Sequence, residues 1–318
     1  MFRSLLFLAL FLVCVNGRTK YDPTKVDYCS KTCYNNNATS TGCKCKHQGT
    51  RIEILDKMVE FRRFIVDQHN RWRNFIASGK ETRGFAKSVS DMLVMNYDLE
   101  LEYLARCYGR STFNGFHDEC RMLHNNGQSG QNLAGLSIKD LSFKLIKEQI
   151  FDWYDEVKDM QEDIYAKFRS RGAEKIKIGH FTAMCWGAAN IVGCARIYTS
   201  DPKKDNFVNP IYVQTLICNY AVKDVQGTVN MLDSPVHIQG PPCSKCPKKK
   251  KYNKCNKKYT SLCGILEKIP IDEPFNFEPK ISKEQKQPVK RKRPRKNNSE
   301  ILKNNPILVV VLLVCLFW

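Results

Sequence analysis

The sequence predicts an α+β fold, and three observations carry that expectation. Segments 51–77 and 137–160 repeat apolar side chains at three- and four-residue spacing, as helices with one buried face do, and 93–107 reads as a shorter helix. The runs 180–186, 191–198 and 212–220 are rich in aromatic and β-branched residues and read as strands. Thirteen of the 15 cysteines lie between the two apolar ends of the chain, where they read as a disulfide frame with one thiol left over.

That frame presumes export. Residues 1–17 carry Arg3, an apolar stretch from Ser4 to Val15 and a small-residue exit at Val15-Asn16-Gly17. This is the pattern of a secretory signal peptide, which takes Cys14 with it and is set aside from the fold. The remainder is long enough for one domain with a full core plus an appendage. Asn37-Ala38-Thr39 is a glycosylation sequon, as is Asn297-Asn298-Ser299 by pattern.

The net charge of +19 is unevenly spread: residues 243–303 hold 19 Lys and Arg against 6 Asp and Glu. The tail therefore carries +13 (19 less 6) of the net +19, and the rest of the chain is only mildly basic. The cluster Lys290–Lys296 (KRKRPRK) would be a nuclear signal in a cytosolic chain, a reading that the signal peptide excludes. No nucleic-acid partner is expected; the basic tail is expected to meet anionic surfaces, lipid or glycosaminoglycan.

In chain order, residues 18–50 form a cysteine-rich loop. Cys29, Cys33, Cys43 and Cys45 lie close enough for disulfides or, as the other reading, zinc. In 51–77 the apolar stripe is Ile54, Met58, Phe61, Ile65, His69 and Trp72, which makes His69 a core histidine. Residues Gly109 to Gly127 are polar and irregular and contain Phe116-His117-Asp118-Glu119-Cys120. The third helix, 137–160, is expected to be capped by Ser137 with Asp140. Its buried stripe is Leu141, Leu145, Ile146, Ile150, Trp153 and Val157, with Glu156 at the stripe's edge.

The chain is organised around 179–195, GHFTAMCWGAANIVGCA. His180 is expected to open a strand, Gly187 to Asn190 to break it, and Ile191 to Tyr198 to return as a hairpin. The run 212–220 can pair with that return, so that Cys194 and Cys218 could face each other. Strand alternation would put Thr182 on the face of His180 and Cys185 on the other, as a small buried thiol.

Residues 241–264 begin with Pro-Pro-Cys-Ser-Lys-Cys-Pro and hold Cys243, Cys246, Cys255 and Cys263, a stapled hinge. Residues 265–305 are rich in Pro, Lys and Asn, and are expected to be a disordered basic linker. The apolar end 306–318 falls short of the roughly 20 residues of a spanning helix. With the small residues upstream it reads as a glycosylphosphatidylinositol (GPI) signal with Asn297 as the attachment residue, and a weak spanning anchor is the alternative.

Four short stretches carry a family resemblance: His69-Asn70-Arg71-Trp72-Arg73, Gly130-Gln131-Asn132-Leu133, GHFTAMCW with VGCA, and ICNY. Over roughly 27–246 the chain resembles the CAP superfamily, which comprises cysteine-rich secretory proteins, antigen 5 and pathogenesis-related class 1 proteins. The insect venom allergen antigen 5 branch is the most similar. The resemblance implies a three-layer α-β-α sandwich, a CAP (SCP) domain over 51–235, and a structural role for Asn70 and Arg73.

It also implies a cavity lined by His117, Gln131, Glu156 and His180. Two histidines and two carboxylates would hold zinc; with Gln131 in place of one carboxylate, His117, His180 and Glu156 make a weak metal set, and no cofactor is required. The implied bridges are Cys29–Cys43, Cys33–Cys120 and Cys194–Cys218. Cys45–Cys107 stands where the family's spacing is not kept, 13 positions before Cys120. The hinge cysteines are expected to pair as Cys243–Cys255 and Cys246–Cys263, which leaves Cys185 free. The hinge resembles that of cysteine-rich secretory proteins but lacks six further cysteines of their ion-channel module, which argues against a channel blocker.

A His–Glu pair could serve as base and orienter, but no nucleophile stands out, so catalytic residues are expected to be none. The resemblance points to a binding module for a sterol or other small lipid, secreted or held at the outer cell surface by its lipid anchor. A metal-dependent hydrolase, or a ligand-free protein that engages an extracellular receptor, is the alternative.

Overall fold

The computed structural model describes residues 21–278, apart from 35, 141, 206–210, 224–226 and the side chain of 173. The chain divides into two compact units, Met1–Phe277 and Glu278–Trp318. Beyond Glu278 the second unit lies outside the described residues, as do the signal segment, Leu141, Lys290–Lys296, Asn297 and the apolar end. Among the described residues no helix is long and apolar enough to cross a membrane.

The first unit is a three-layer α-β-α sandwich. Strands β1 (Arg51–Glu53), β2 (Asn96–Tyr97), β3 (Gly130–Leu136), β4 (Ile191–Thr199) and β5 (Gln214–Ala221) form one sheet. Its order is β1-β4-β5-β3, antiparallel throughout, with β2 added parallel to β4. Helix α2 (Leu99–Arg110) covers one face; α1 (Met58–Ala77), α3 (Phe143–Asp155) and α5 (Gly179–Met184) cover the other, and a short α4 (Glu162–Ala166) follows α3. The larger core lies on the α1/α3/α5 side and buries Phe61, Ile65, Ile150, Trp153, Phe181 and Tyr220.

In the central pair the register sets Cys194 opposite Cys218, and the two are bonded. The β4–α2 contact depends on Gly193. A Cβ there would stand 2.2 Å from the amide nitrogen of Glu102 and 2.5 Å from the carbonyl oxygen of Asp98, both backbone atoms that no rotamer change can move aside. Gly193→Ala is therefore expected to cost at least about 2 kcal/mol through overpacking. Urea denaturation would show it, and an unchanged midpoint would mean that α2 can lift off β4 freely.

Several boundaries differ from the sequence expectation, each for a tertiary reason. Residues 51–53 are an edge strand on β4, and α1 starts only at Met58. Residues 93–97 are extended, with β2 paired to β4, and α2 starts after Asp98, whose side chain caps the amides of Glu100 and Leu101. The third helix is capped by Ser142 rather than Ser137, and passes into a 3-10 turn at Glu156–Asp159. Gly130–Leu136, read only as a motif, is a full strand beside β5. The largest correction is at 180–186, which is not a strand: Gly179–Met184 is a helix. Thr182 is consequently buried and donates its hydroxyl to the Ile178 carbonyl at 2.9 Å, off the face of His180.

All six expected bridges are present, Cys45–Cys107 included, and the four N-terminal cysteines are all in disulfides rather than gathered on zinc. Cys185 is free and buried. The family's spacing is not kept because α2 runs to Arg110, and Cys107 bonds Cys45 from inside that helix. Such a frame fits an oxidising, extracellular compartment.

Residues 265–277 correct the expectation of a disordered linker from 265 onward. Arg62 donates to the carbonyls of Pro270 and Asp272 at 2.9 and 2.7 Å, Arg106 donates to that of Phe275 at 2.8 Å, and the Phe277 ring lies over Tyr103. The segment has too little apolar surface to fold alone; it is ordered by Arg62 of α1 and by Tyr103 and Arg106 of α2.

Candidate functional site

The structure brings the four expected residues to one cleft of about 240 Å³, whose other walls include Arg171, Lys177 and Asn230. Each side chain is held by a different element. Glu156 sits where α3 tightens into its 3-10 turn. Its Oε1 accepts from His180 Nδ1 at 2.7 Å, and its Oε2 accepts from the amides of His180 and Phe181 at 2.8 and 3.1 Å. One carboxylate thus caps the first turn of α5 and fixes the imidazole tautomer. Trp153, one turn earlier, stacks on the His180 ring and donates to the Leu133 carbonyl at 3.1 Å.

His117 comes from the loop after α2, anchored by Cys33–Cys120 and by Asp118, which accepts from both Thr41 and Arg121. His117 Nδ1 donates to Gln131 Oε1 at 2.9 Å, Gln131 Nε2 donates to Asn219 Oδ1 at 3.1 Å, and Asn219 Nδ2 donates to the Leu101 carbonyl at 3.2 Å. This relay through the sheet settles the orientation of the Gln131 amide and leaves His117 Nε2 facing outward. Desolvation of the ring, with Arg121 and His180 nearby, holds the His117 pKa below the ordinary histidine value.

His69 is not part of the cleft but supports it. It is fully buried, donates from Nδ1 to the Ile65 carbonyl at 2.7 Å and accepts the Tyr220 hydroxyl at Nε2, 2.9 Å away. Asn132 Nδ2 reaches both that hydroxyl and the His180 carbonyl, at 3.3 and 3.0 Å. The motif residues His69, Asn132 and Tyr220 therefore buttress the backbone of His180. Asn132 and Asn219 are site residues with no signal of their own in the sequence beyond their place in the stretches Gly130–Leu133 and Ile217–Tyr220.

The donor set does not fit a resident cation. Both oxygens of Glu156 are engaged, which makes it an orienter of His180 rather than a ligand, and two imidazoles remain where a zinc site uses at least three protein ligands. Among the described residues one trio has donor atoms close enough for a metal, Cys243, Cys246 and Cys263, and all three are in disulfides.

The matching family model is that of the cysteine-rich secretory protein family, CAP, over residues 66–220. A venom allergen 5 of Polybia paulista is 32% identical over 204 residues, which are 60% of this chain and 89% of that protein. The chain belongs to the CAP family. A venom allergen 3 of Solenopsis invicta is 29% identical over 242 residues, covering 73% of this chain and 97% of that one. A venom allergen 5 of Tityus serrulatus is 30% identical over 71% of this chain, which spans about half of that relative (52%). Among solved structures, one described as NaASP2 with Zn²⁺ is 22% identical, with a TM-score of 0.48 over 64% of this chain and 94% of that one.

A second and larger cavity lies on the other face of this CAP domain. It measures about 460 Å³ and is lined by the N-terminal residues 21–25, by α2 and by the C-terminal strap, residues 265–277. Leu99, Tyr103, Tyr21 and Phe275 supply its apolar surface. Its deep charges are matched: Glu102 binds Arg62 at 2.7 Å, and Arg106 binds Glu53 at 2.6 Å. Nothing in the sequence pointed to it, because its walls come from three segments far apart in the chain.

Proposed function

We propose that this CAP protein is an extracellular binding module that carries a small apolar ligand, a sterol or a fatty acyl chain, in the cavity between α2 and the strap. The observation behind this reading is the contrast between the two cavities. The larger has about twice the volume and the aromatic walls of Tyr21, Tyr103 and Phe275, with Asp22, Lys25, Asp272 and Glu273 also on its lining, whereas the His117–His180 cleft is smaller and is flanked by Arg171 and Lys177. Secretion, a glycan on the exposed Asn37, a lipid anchor at Asn297 and an extracellular receptor belong to the same proposal.

A metal-dependent hydrolase has one observation in its favour: Glu156 binds His180 through Nδ1, which leaves Nε2 for a cation, as in carboxylate–histidine–metal arrangements. Weak zinc binding through His117 and His180 would follow. The nearby hydroxyl and thiol do not favour catalysis, since Thr182 is tied to its own helix and burial pushes the Cys185 thiol up to about 12.

The test is native mass spectrometry of the chain secreted from eukaryotic cells, beside Leu99→Trp, which fills the larger cavity. A lipid-sized adduct on the wild type that the variant lacks is the expected result. A wild type that stays bare after incubation with cholesterol and palmitate, or a variant that keeps the adduct, would refute the reading. A zinc adduct abolished by His180→Ala would revive the alternative.

A further inference from the structure

The stapled segment 243–264 contains eight lysines and no acidic residue. Two of the eight have ion-pair partners elsewhere on the domain, Lys251 with Glu267 and Lys258 with Asp67. Lys248, Lys249, Lys250, Lys254 and Lys257 are exposed and, among the described residues, take part in no ion pair. We propose that this segment is a polyanion-binding surface whose occupant is a linear sulfated polysaccharide.

The surface is prearranged. Cys243–Cys255 and Cys246–Cys263 cross-link it, and the Gly264 amide donates to the Lys254 carbonyl at 2.8 Å. Tyr252 is buried beneath it, its hydroxyl accepting from Asn190 at 3.0 Å, and the Cys263 amide and carbonyl bond the 92–94 backbone. Like charges are thus held together by covalent and buried contacts rather than assembled on binding. Little ordering cost remains for the bound state, and an anion relieves the mutual repulsion.

The shape favours one class of anion. Lys250, Lys251, Lys254, Lys257 and Lys258 line a groove of about 380 Å³. A groove admits a chain of sulfates along its length, whereas a flat lipid surface would reach only its rim. The segment's two aromatic rings, Tyr252 and Tyr259, are both buried, so no platform is exposed on which bases could stack as single-stranded nucleic acid requires. The disulfides add that the partner is met outside the cell.

The experiment measures binding of the full chain to immobilised heparin across a salt series. It compares the wild type, a hinge variant (K249Q/K250Q/K254Q/K257Q) and a tail variant with the six basic residues of 290–296 changed to Gln. The hinge variant is expected to bind at least about tenfold more weakly at physiological salt, and its log Kd against log salt to lose roughly three to four units of slope. The tail variant should keep most of both. Intact mass and thermal melting check that the six bridges and the fold survive. Heparin protection of Lys249, Lys250, Lys254 and Lys257 from acetylation tests the wild type with no variant at all. Unchanged binding by the hinge variant, loss of binding in the tail variant alone, absent protection, or wild-type capture by phosphatidylserine vesicles but not by heparin would each overturn the proposal.

Discussion

Arg73→Ala is expected to cost at least about 4 kcal/mol, or to prevent folding. Arg73 is wholly buried in α1, and its guanidinium faces backbone carbonyls in place of a carboxylate. Nε and Nη2 donate to Leu93 at 3.1 and 2.6 Å; Nη1 donates to Met184 and Trp186 at 2.9 Å each; Nη2 also reaches Ala189 at 2.8 Å and Gly187 at 3.3 Å. One side chain therefore gathers the carbonyls of the turn between α5 and β4 and ties them to α1. Removing it leaves the carbonyls of Trp186 and Gly187 with the amides of Ala189 and Leu93, but takes the donor from those of Leu93, Met184 and Ala189 in a dry interior, where each unmet polar group costs about 1–3 kcal/mol. Lys in its place keeps the charge but not the fork, so Arg73→Lys should recover only part of the loss. Cys185 lies in the same turn and reports on it: its thiol should resist a disulfide reagent in the native wild type and react readily in Arg73→Ala. A variant with wild-type urea stability and a silent thiol would refute this account.

The second large effect is acid lability. Burial lowers His69 and His237, both inside the larger core region, from the ordinary 6.5 to about 4. Between those values the unfolded chain binds protons that the folded chain refuses, so stability rises with pH across the window and is lost as pH falls from 6.5 toward 4. Each histidine should remove roughly 2–3 kcal/mol by pH 4.5. His124, raised by its hydrogen bond to Glu100, acts in the opposite sense, but it is largely exposed and offsets little. Urea denaturation at pH 7 and pH 4.5 measures the difference. His237→Gln should lower stability at pH 7 and remove about half of the slope between the two values. Equal stability at both pH values in the wild type would show that neither imidazole is protonated on unfolding.

Much of the molecule was legible in its sequence. The helical stripes located α1 and α3 because their apolar faces repeat at the helical period whatever lies opposite. His69 was legible as a core histidine for the same reason. The pairing of Cys194 with Cys218 could be read from two β-rich runs whose lengths and spacing suit antiparallel neighbours. The four cleft residues came from resemblance, since no local pattern links His117 to His180 across 63 positions of chain.

What local pattern could not supply was any feature created by a distant partner. Phe181, Thr182, Met184, Cys185 and Trp186 have strand preferences, yet the Glu156 carboxylate receives the amides of His180 and Phe181 and begins a helix there. That cap alters the site as well as the fold: it removes Thr182 from the face of His180 and makes Glu156 an orienter rather than a metal ligand. The strap at 265–277 is the same case on the opposite face. Its composition cannot sustain a core, but Arg62 and Arg106 donate to its carbonyls and Tyr103 stacks with Phe277, so that it closes a cavity. The sequence by itself determined the helices with a buried stripe, the cysteine frame and the family. The tertiary structure decided the conformation of 179–184, the role of Glu156 and the existence of the larger cavity. Propensity and periodicity act over a few residues, whereas a buried hydrogen bond, once its partner arrives from elsewhere in the chain, outweighs both.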